Sequence, residues 1–459
     1  MSLAIRKMLS WKTRTNLVGS LSIVGLTAVA CRSSDTTPVT QPTASIQPAP
    51  ATSEPTTLPP TSTPIPDETA TPVPDVGPTA DPTSTPTALT PRTVVERSEL
   101  NIVEKNFRNR VANLGWETDG ELRTISLDEL VISLRRDSIR PIDDPTYIDV
   151  EQALKEYDPK EPFIIVDLND DARAFPLSVL VNHEIVNDEI GGIPVTVTFC
   201  PLCNSSIVFD RRVDGVVHRF GTSGMLRNSD LVMWDDTTET LWQQLTGEGI
   251  VGEQAGKKLT FLPVQIGTLE SFAASQPNGQ VMAKPAGRPY LRSSYQGYDD
   301  DIKDPFLFFG EIDPRLGATD RVAALDLGTG PVAYSFDLLA EELVLNVESG
   351  GLPIAIFFDD TTQSAFRSAL PGAGAAPNIS GSATTYLREA GEEVLTFVDN
   401  GDGRFRDEQT GSIWDRFGEA LEGELAGTQL DPAIHGDHFW FAWAQFHPGT
   451  KLFTSLDQI

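Results

Sequence analysis

The feature that most constrains this chain is a duplication inside it. Moving the sequence by 159 positions lays Ala174 to Phe199 over Ala333 to Phe358 without a gap, with eight identities in 26 pairs. The identities are Ala174/Ala333, Leu180/Leu339, Asn187/Asn346, Glu189/Glu348, Gly191/Gly350, Gly192/Gly351, Pro194/Pro353 and Phe199/Phe358. Most of the other pairs set an apolar residue on an apolar one. Upstream, Asp167-Leu168 meets Asp326-Leu327; downstream, Trp242 meets Trp414, Gly252-Glu253 meets Gly423-Glu424, and Ala255-Gly256 meets Ala426-Gly427. Matches that keep their order mean two tandem copies of one folding unit. The chain is therefore divided into residues 93–159 as an N-terminal extension, 160–317 as the first copy with a connector, and 318–459 as the second copy.

Each copy reads mainly as strand. Phe163 to Val166, Val195 to Phe199 and Ile207 to Phe209 are β-branched or aromatic runs separated by Gly-Gly, Asp-Gly and Asp-Asp turns. Leu177 to Val186 carries apolar residues at helical spacing, and Leu269 to Ser275 reads as a second short helix. The expected class is mainly β (α+β), with two tandem antiparallel barrel- or sandwich-like units and a few short helices.

The rest of the length does not belong to this core. Fifteen of the 34 prolines fall between Pro38 and Pro91, among Thr, Ser and Ala and with no aromatic residue. Residues 32–92 are thus a linker of polyproline and coil character, spanning roughly 45 Å as a random coil and about 190 Å at full stretch. Residues 1–31 read as an export signal: Arg6, Lys7, Lys12 and Arg14 precede an apolar stretch from Leu17 to Ala30. About 14 helical residues reach only some 21 Å, short of a roughly 30 Å hydrocarbon core. Ala28-Val29-Ala30-Cys31 resembles the lipobox of bacterial lipoproteins, which makes Cys31 the expected lipidation site and the membrane, through that anchor, the expected attachment. The net charge of −30 excludes nucleic acid and anionic lipid surfaces as partners, because both require clustered Lys and Arg.

With Cys31 lipidated, Cys200 and Cys203 are the remaining thiols of the three cysteines. They form Cys200-Pro201-Leu202-Cys203 directly after a strand. A disulfide across so short a loop stabilises by only about 2 kcal/mol before strain is subtracted, so a structural bridge is a weak explanation. The spacing suits reversible redox chemistry, in which one thiolate attacks and the other resolves, or binding of a soft metal such as copper or zinc. Asn204-Ser205-Ser206 leads into strand rather than helix, so no helix dipole assists the thiols. Ser205, Ser206, Arg211 and Arg212 are the nearby donors and cations, and His183, read on the Leu177 to Val186 helix, is a candidate base or third metal ligand. The second copy has Asp359, Asp360, Thr361 and Thr362 at the four aligned positions, so activity is expected from the first copy alone.

Other polar clusters read as structure. His218 sits in a strand, and His435, His438 and His447 lie close to Trp440 and Trp443 as a packed aromatic terminus. Asp399 to Gly403 lacks the register of a calcium loop and reads as a hairpin turn. Asp299-Asp300-Asp301 reads as a solvated loop. No phosphate loop or Ser/His/Asp arrangement supports a nucleotide enzyme or hydrolase.

These motifs together resemble a family. The run from His183-Glu184-Ile185 through Gly191-Gly192, Cys200-Pro201-Leu202-Cys203 and Gly221-Thr222-Ser223-Gly224 to Asn228-Ser229-Asp230-Leu231 is similar to the bacterial and archaeal "domain of unknown function 3179". So are Leu241-Trp242-Gln243-Gln244, Phe441-Ala442-Trp443 and Phe446-His447-Pro448; the resemblance spans roughly residues 120–459. Its name assigns no activity. Some members are labelled selenoproteins, with selenocysteine in place of a cysteine of this motif, which implies redox chemistry. The functional expectation is a membrane-tethered extracytoplasmic thiol/disulfide oxidoreductase using Cys200 and Cys203. The alternatives are copper or zinc binding at the same residues, or a non-catalytic binding module on a stalk. Substrate and redox or protein partner are not legible.

Overall fold

The computed structural model describes residues 93–118, 120–287, 290, 295–300, 302–366 and 378–459. The expected leader, the Cys31 anchor and the linker lie outside them. Among the described residues no helix is long and apolar enough to cross a membrane.

The chain is mainly β, built from small, largely antiparallel sheets in a propeller-like arrangement. The first copy contributes three sheets. One orders Gln265–Thr268, Pro162–Leu168, Asp171–Pro176 and Gln280–Met282, with the last pair parallel and Tyr147–Asp149 added at the edge. The second orders Thr260–Leu262, Ser205–Asp210, Ile193–Cys200 and Ile185–Ile190. The third is a meander of Phe220–Arg227, Asp230–Asp235, Leu241–Gln243 and Glu248–Val251. Leu130–Ile132 and Leu122–Arg123 from the N-terminal extension flank that meander, so the extension folds onto the first copy.

The second copy repeats the plan. Gly436–Phe439, Arg321–Leu325, Val332–Ser335 and Lys451–Phe453 form its first sheet, again with a parallel last pair. Val344–Ser349 and Leu352–Asp359 match Ile185–Ile190 and Ile193–Cys200 end for end at the 159-residue offset. Side chains that fix the plan recur as well. Asn187 exchanges hydrogen bonds with the Phe220 backbone as Asn346 does with Phe397. Trp242 Nε1 donates to Asp235 at 2.9 Å, and Trp414 Nε1 to Asp407 at the same distance. A buried indole N–H needs such an acceptor, so each pair locks one meander in register.

Two local expectations change. The helix read over Leu177 to Val186 stops at Leu180, and Ile185–Ile190 is a strand paired with Ile193–Cys200. β-branched Ile185 and Val186 gain ladder partners there, which overrides their helical spacing. The reversal runs through Glu184 at φ 60°, and the aligned Leu343 ends the longer helix Phe336–Glu342 at the same angle. Asp299 is not solvated: its buried carboxylate accepts from Arg321 at 2.8 Å and Ser364 at 2.6 Å, which ties the connector to the second copy. The helix Leu269–Ser275 and the hairpin at Asp402-Gly403, both residues at positive φ, form as read.

The largest core cluster belongs to both copies. Phe199, Val208 and Trp242 of the first share it with Val322, Phe439, Trp440 and Phe441 of the second. Burial of each such side chain contributes roughly 1.5–3 kcal/mol, so neither copy keeps its interior without the other.

Candidate functional site

The cysteine loop is a tight hairpin. Cys200 ends the strand Ile193–Cys200 and pairs with Ser205, which opens the next one. Between them the Cys203 N–H donates to the Cys200 carbonyl at 3.2 Å, and Asn204 closes the turn at φ 51°. Asparagine tolerates that left-handed conformation better than most residues. The second copy secures the loop from outside: the Phe439 N–H donates to the Cys203 carbonyl at 2.9 Å, and Asn204 Nδ2 to the Asp437 carbonyl at 3.3 Å.

Both cysteines are buried and free. A second hairpin, Phe220–Arg227 to Asp230–Asp235, brings its turn to them. Asn228 and Ser229 both have positive φ, and the Ser229 carbonyl accepts from Cys203 Sγ at 3.5 Å and lies 3.9 Å from Cys200 Sγ. Next to it, Asp230 completes a triad: the two sulfurs and a carboxylate oxygen lie within 4.8 Å of one another. Asp230 Oδ2 accepts from Gln243 Nε2 at 2.5 Å and the Leu245 N–H at 3.0 Å, while Oδ1 takes no bond from nitrogen or oxygen among the described residues.

Burial sets the charge state. It pushes the Cys200 thiol up and the Cys203 thiol well up, and the neighbouring Asp230 and Glu184 carboxyls add to the rise at Cys200. Burial also raises Asp230 to about 6, opposed by its bonds from Gln243, Leu245 and the thiols. Glu184 is pushed up to about 8 by burial, against a hydrogen bond from Tyr295. Among the described residues no cation is named at either sulfur, and burial favours the neutral thiols.

The residues singled out in sequence are placed unevenly. Ser205 stands opposite Cys200, and Ser206, opposite Phe199, points to the other face of the sheet. Arg211 is at the far end of the same hairpin: its N–H bonds the Pro194 carbonyl, and its guanidinium holds the carbonyls of Asp188 and His218. Cys200 lies six positions along the strand from Pro194, roughly 20 Å. Arg212 pairs with Asp210. His183 sits in the turn after the shortened helix, with Nδ1 2.7 Å from the Arg140 carbonyl and Nε2 2.9 Å from the Tyr290 hydroxyl. It is Glu184, the next residue, that turns inward. His438, Trp443 and His447 form a buried ring stack, and burial lowers the two histidines to about 3 and about 4.

A cavity of about 510 Å³ adjoins the loop, lined in part by Glu184, Leu202, Leu231, Tyr295 and Tyr298. Leu202, from the loop between Cys200 and Cys203, is the loop residue that lines it, and neither cysteine is in the lining. The second copy keeps a cavity of about 700 Å³ at the equivalent place, lined by Leu343, Thr361, Asp399 and Gly401 where the first has Glu184, Leu202, Thr222 and Gly224. There Asp359, at the position of Cys200, pairs at 2.5 Å with Arg416, which replaces Gln244. The loop itself is 18 residues longer, since Ser382 rather than position 364 takes the place of Ser205. The thiols, Glu184 and the short loop therefore go together, while the backbone plan is common to both copies.

Sequence reasoning missed Asp230 and Glu184 as site residues. One signal was present: Glu184 faces an apolar Leu343 in the aligned copy that also lacks the cysteines.

The fold and site define a duplicated, mainly β protein with a buried dithiol and carboxyl in its first copy. Residues 136–450, about two thirds of the chain, match the family described as "Protein of unknown function (DUF3179)", and the protein belongs to that family. No curated protein and no solved structure matches it.

Proposed function

We propose that the protein is a thiol–disulfide oxidoreductase, tethered to the membrane through Cys31 and working outside the cytoplasm. The observation that carries this reading is the carboxyl of Asp230 beside two free, adjacent thiols. A thiol without a neighbouring cation needs a base to become a nucleophile, and a carboxyl raised to about 6 is matched to that task near neutral pH. Asp230 takes the proton of Cys200, whose thiol is the less elevated of the two. The thiolate attacks one sulfur of a substrate disulfide, and the expelled thiolate takes that proton back. Cys203 then gives its proton to Asp230 and attacks the Cys200 sulfur, and the second substrate thiol leaves with the proton. The dithiol becomes a disulfide and one substrate disulfide becomes two thiols, a balanced two-electron exchange.

Mass spectrometry of the alkylated chain across glutathione redox buffers tests this. The expected midpoint lies between about −120 and −270 mV, the span of catalytic pairs, whereas a value below about −300 mV marks a structural bridge and removes the proposal. Recovery of a Cys31→Ser variant from the soluble rather than the membrane fraction checks the anchor; retention at the membrane contradicts it.

The same three atoms favour a second reading. Two thiolates and a carboxylate within 4.8 Å offer a soft-metal site for copper or zinc. Stoichiometric metal in the purified chain, lost in a Cys200→Ser variant, would support it over the redox reading.

A further inference from the structure

The cavity beside the dithiol has a mostly apolar lining. Leu134, Ile139, Met225, Leu226, Ile302 and Phe306 make its walls apolar. Leu134 and Phe306 are 45% and 52% exposed, so this surface continues out to the rim. Glu184, Thr222, Tyr295 and Tyr298 add polar groups to the lining that Leu202 shares. Among the described residues no Lys or Arg lines the cavity. Burial keeps Glu184 protonated up to about pH 8, so it can donate a hydrogen bond to a neutral oxygen. A volume of about 510 Å³ falls in the range of small-molecule sites. The equivalent cavity of the second copy is ionic instead, with Asp359, Asp399, Arg404 and Arg416 in its lining. An apolar cavity with a carboxylic acid thus accompanies the thiols, not the fold.

We propose that this cavity binds an uncharged, apolar two-electron acceptor of the quinone class, whose carbonyl oxygen accepts a hydrogen bond from Glu184 and which reoxidises Cys200 and Cys203. This rests on the dithiol reading above and names its electron acceptor. The exchange balances: two S–H bonds break, the Sγ–Sγ bond forms, and the two electrons and two protons convert both quinone carbonyls to hydroxyls. Asp230 takes the thiol protons in turn and passes them to water, while Glu184 gives its own proton to the nearer quinone oxygen and is reprotonated, and the farther oxygen takes its proton from water. The apolar rim admits the lipophilic end of such a molecule.

The test uses the full, reduced chain under anaerobic conditions with duroquinone, whose ring carries no free position for thiol addition. Quinol formation and the remaining thiols are followed together, and exchange with hydroxyethyl disulfide is measured in parallel. One quinol per chain is expected, with both thiols consumed. Glu184→Leu places the residue that the second copy already carries at the same backbone angle, and Ile139→Phe narrows the cavity. Each should lower the ratio of quinone rate to disulfide-exchange rate at least tenfold. Exchange without quinone reduction overturns this inference and leaves the dithiol reading standing. Quinone reduction with unchanged ratios in both variants also overturns it, since the reaction would then bypass the cavity. Failure of the thiols to react with either compound removes both proposals.

Discussion

Asp230 is the residue on which the proposed chemistry turns, because among the described residues no cation stands near the sulfurs to generate a thiolate. Its carboxyl must be ionised to accept a proton. The rate of disulfide exchange should therefore rise as pH passes upward through about 6 and lose this limb as pH falls below it. Asp230→Asn removes the base but keeps an acceptor for Gln243 and Leu245. We expect exchange at pH 7 to slow by about 100-fold, with the inflection near pH 6 gone. An Asn variant that retains the inflection would assign it to another group. His183 illustrates the opposite case. Its chemistry suited a base or ligand, but both ring nitrogens are engaged by Arg140 and Tyr290, and the neighbouring Glu184 occupies the inward position instead.

At the scale of elements, the Gly191-Gly192 turn sets the strand that carries Cys200. Both glycines have positive φ, yet their surroundings differ. A Cβ on Gly191 would stand 2.1 Å from the Leu168 carbonyl oxygen, whereas one on Gly192 meets nothing within 4 Å. Gly192→Ala should therefore cost only the left-handed strain, about 1 kcal/mol. Gly191→Ala adds a backbone clash and should cost roughly 3 kcal/mol or more. Urea unfolding of the two variants checks the difference; equal losses would mean that the approach of Leu168 is relieved without strain. The helix before this turn shows why element bounds were hard to read. Leu177, Leu180, Val181 and Ile185 recur at helical spacing, but the pairing of Ile185 with Thr198 across the sheet decided the conformation of the last of them. Nothing in the local sequence carries that pairing.

For the whole molecule, the shared core makes the second copy a support for the first. Trp440 is fully buried in the common cluster and donates to the Asp313 carbonyl at 3.1 Å, and the adjacent Phe439 holds the Cys203 carbonyl. Trp440→Ala should destabilise by about 3–5 kcal/mol. Because the core spans both copies, thiol exposure in the first and loss of tryptophan burial should share one denaturant midpoint. Thiols that stay protected after the tryptophan signal is lost would show that the copies unfold separately.

The sequence by itself determined the duplication, the mainly β class, the helix Leu269–Ser275 and the restriction of the thiols to one copy. These are legible because strand alternation, turn residues and repeated order are local properties, or comparisons of the chain with itself. Only the tertiary structure decided which groups meet the thiols. Asp230 comes from the turn of another sheet, 27 positions after Cys203, while Arg211, eight positions after it, is carried away along an extended strand. A strand moves its residues apart by about 3.3 Å each and a hairpin brings distant ones back, so closeness in sequence does not predict closeness at the site. The same packing buried the thiols beside the Asp230 carboxyl, the group that the proposed mechanism uses to activate them.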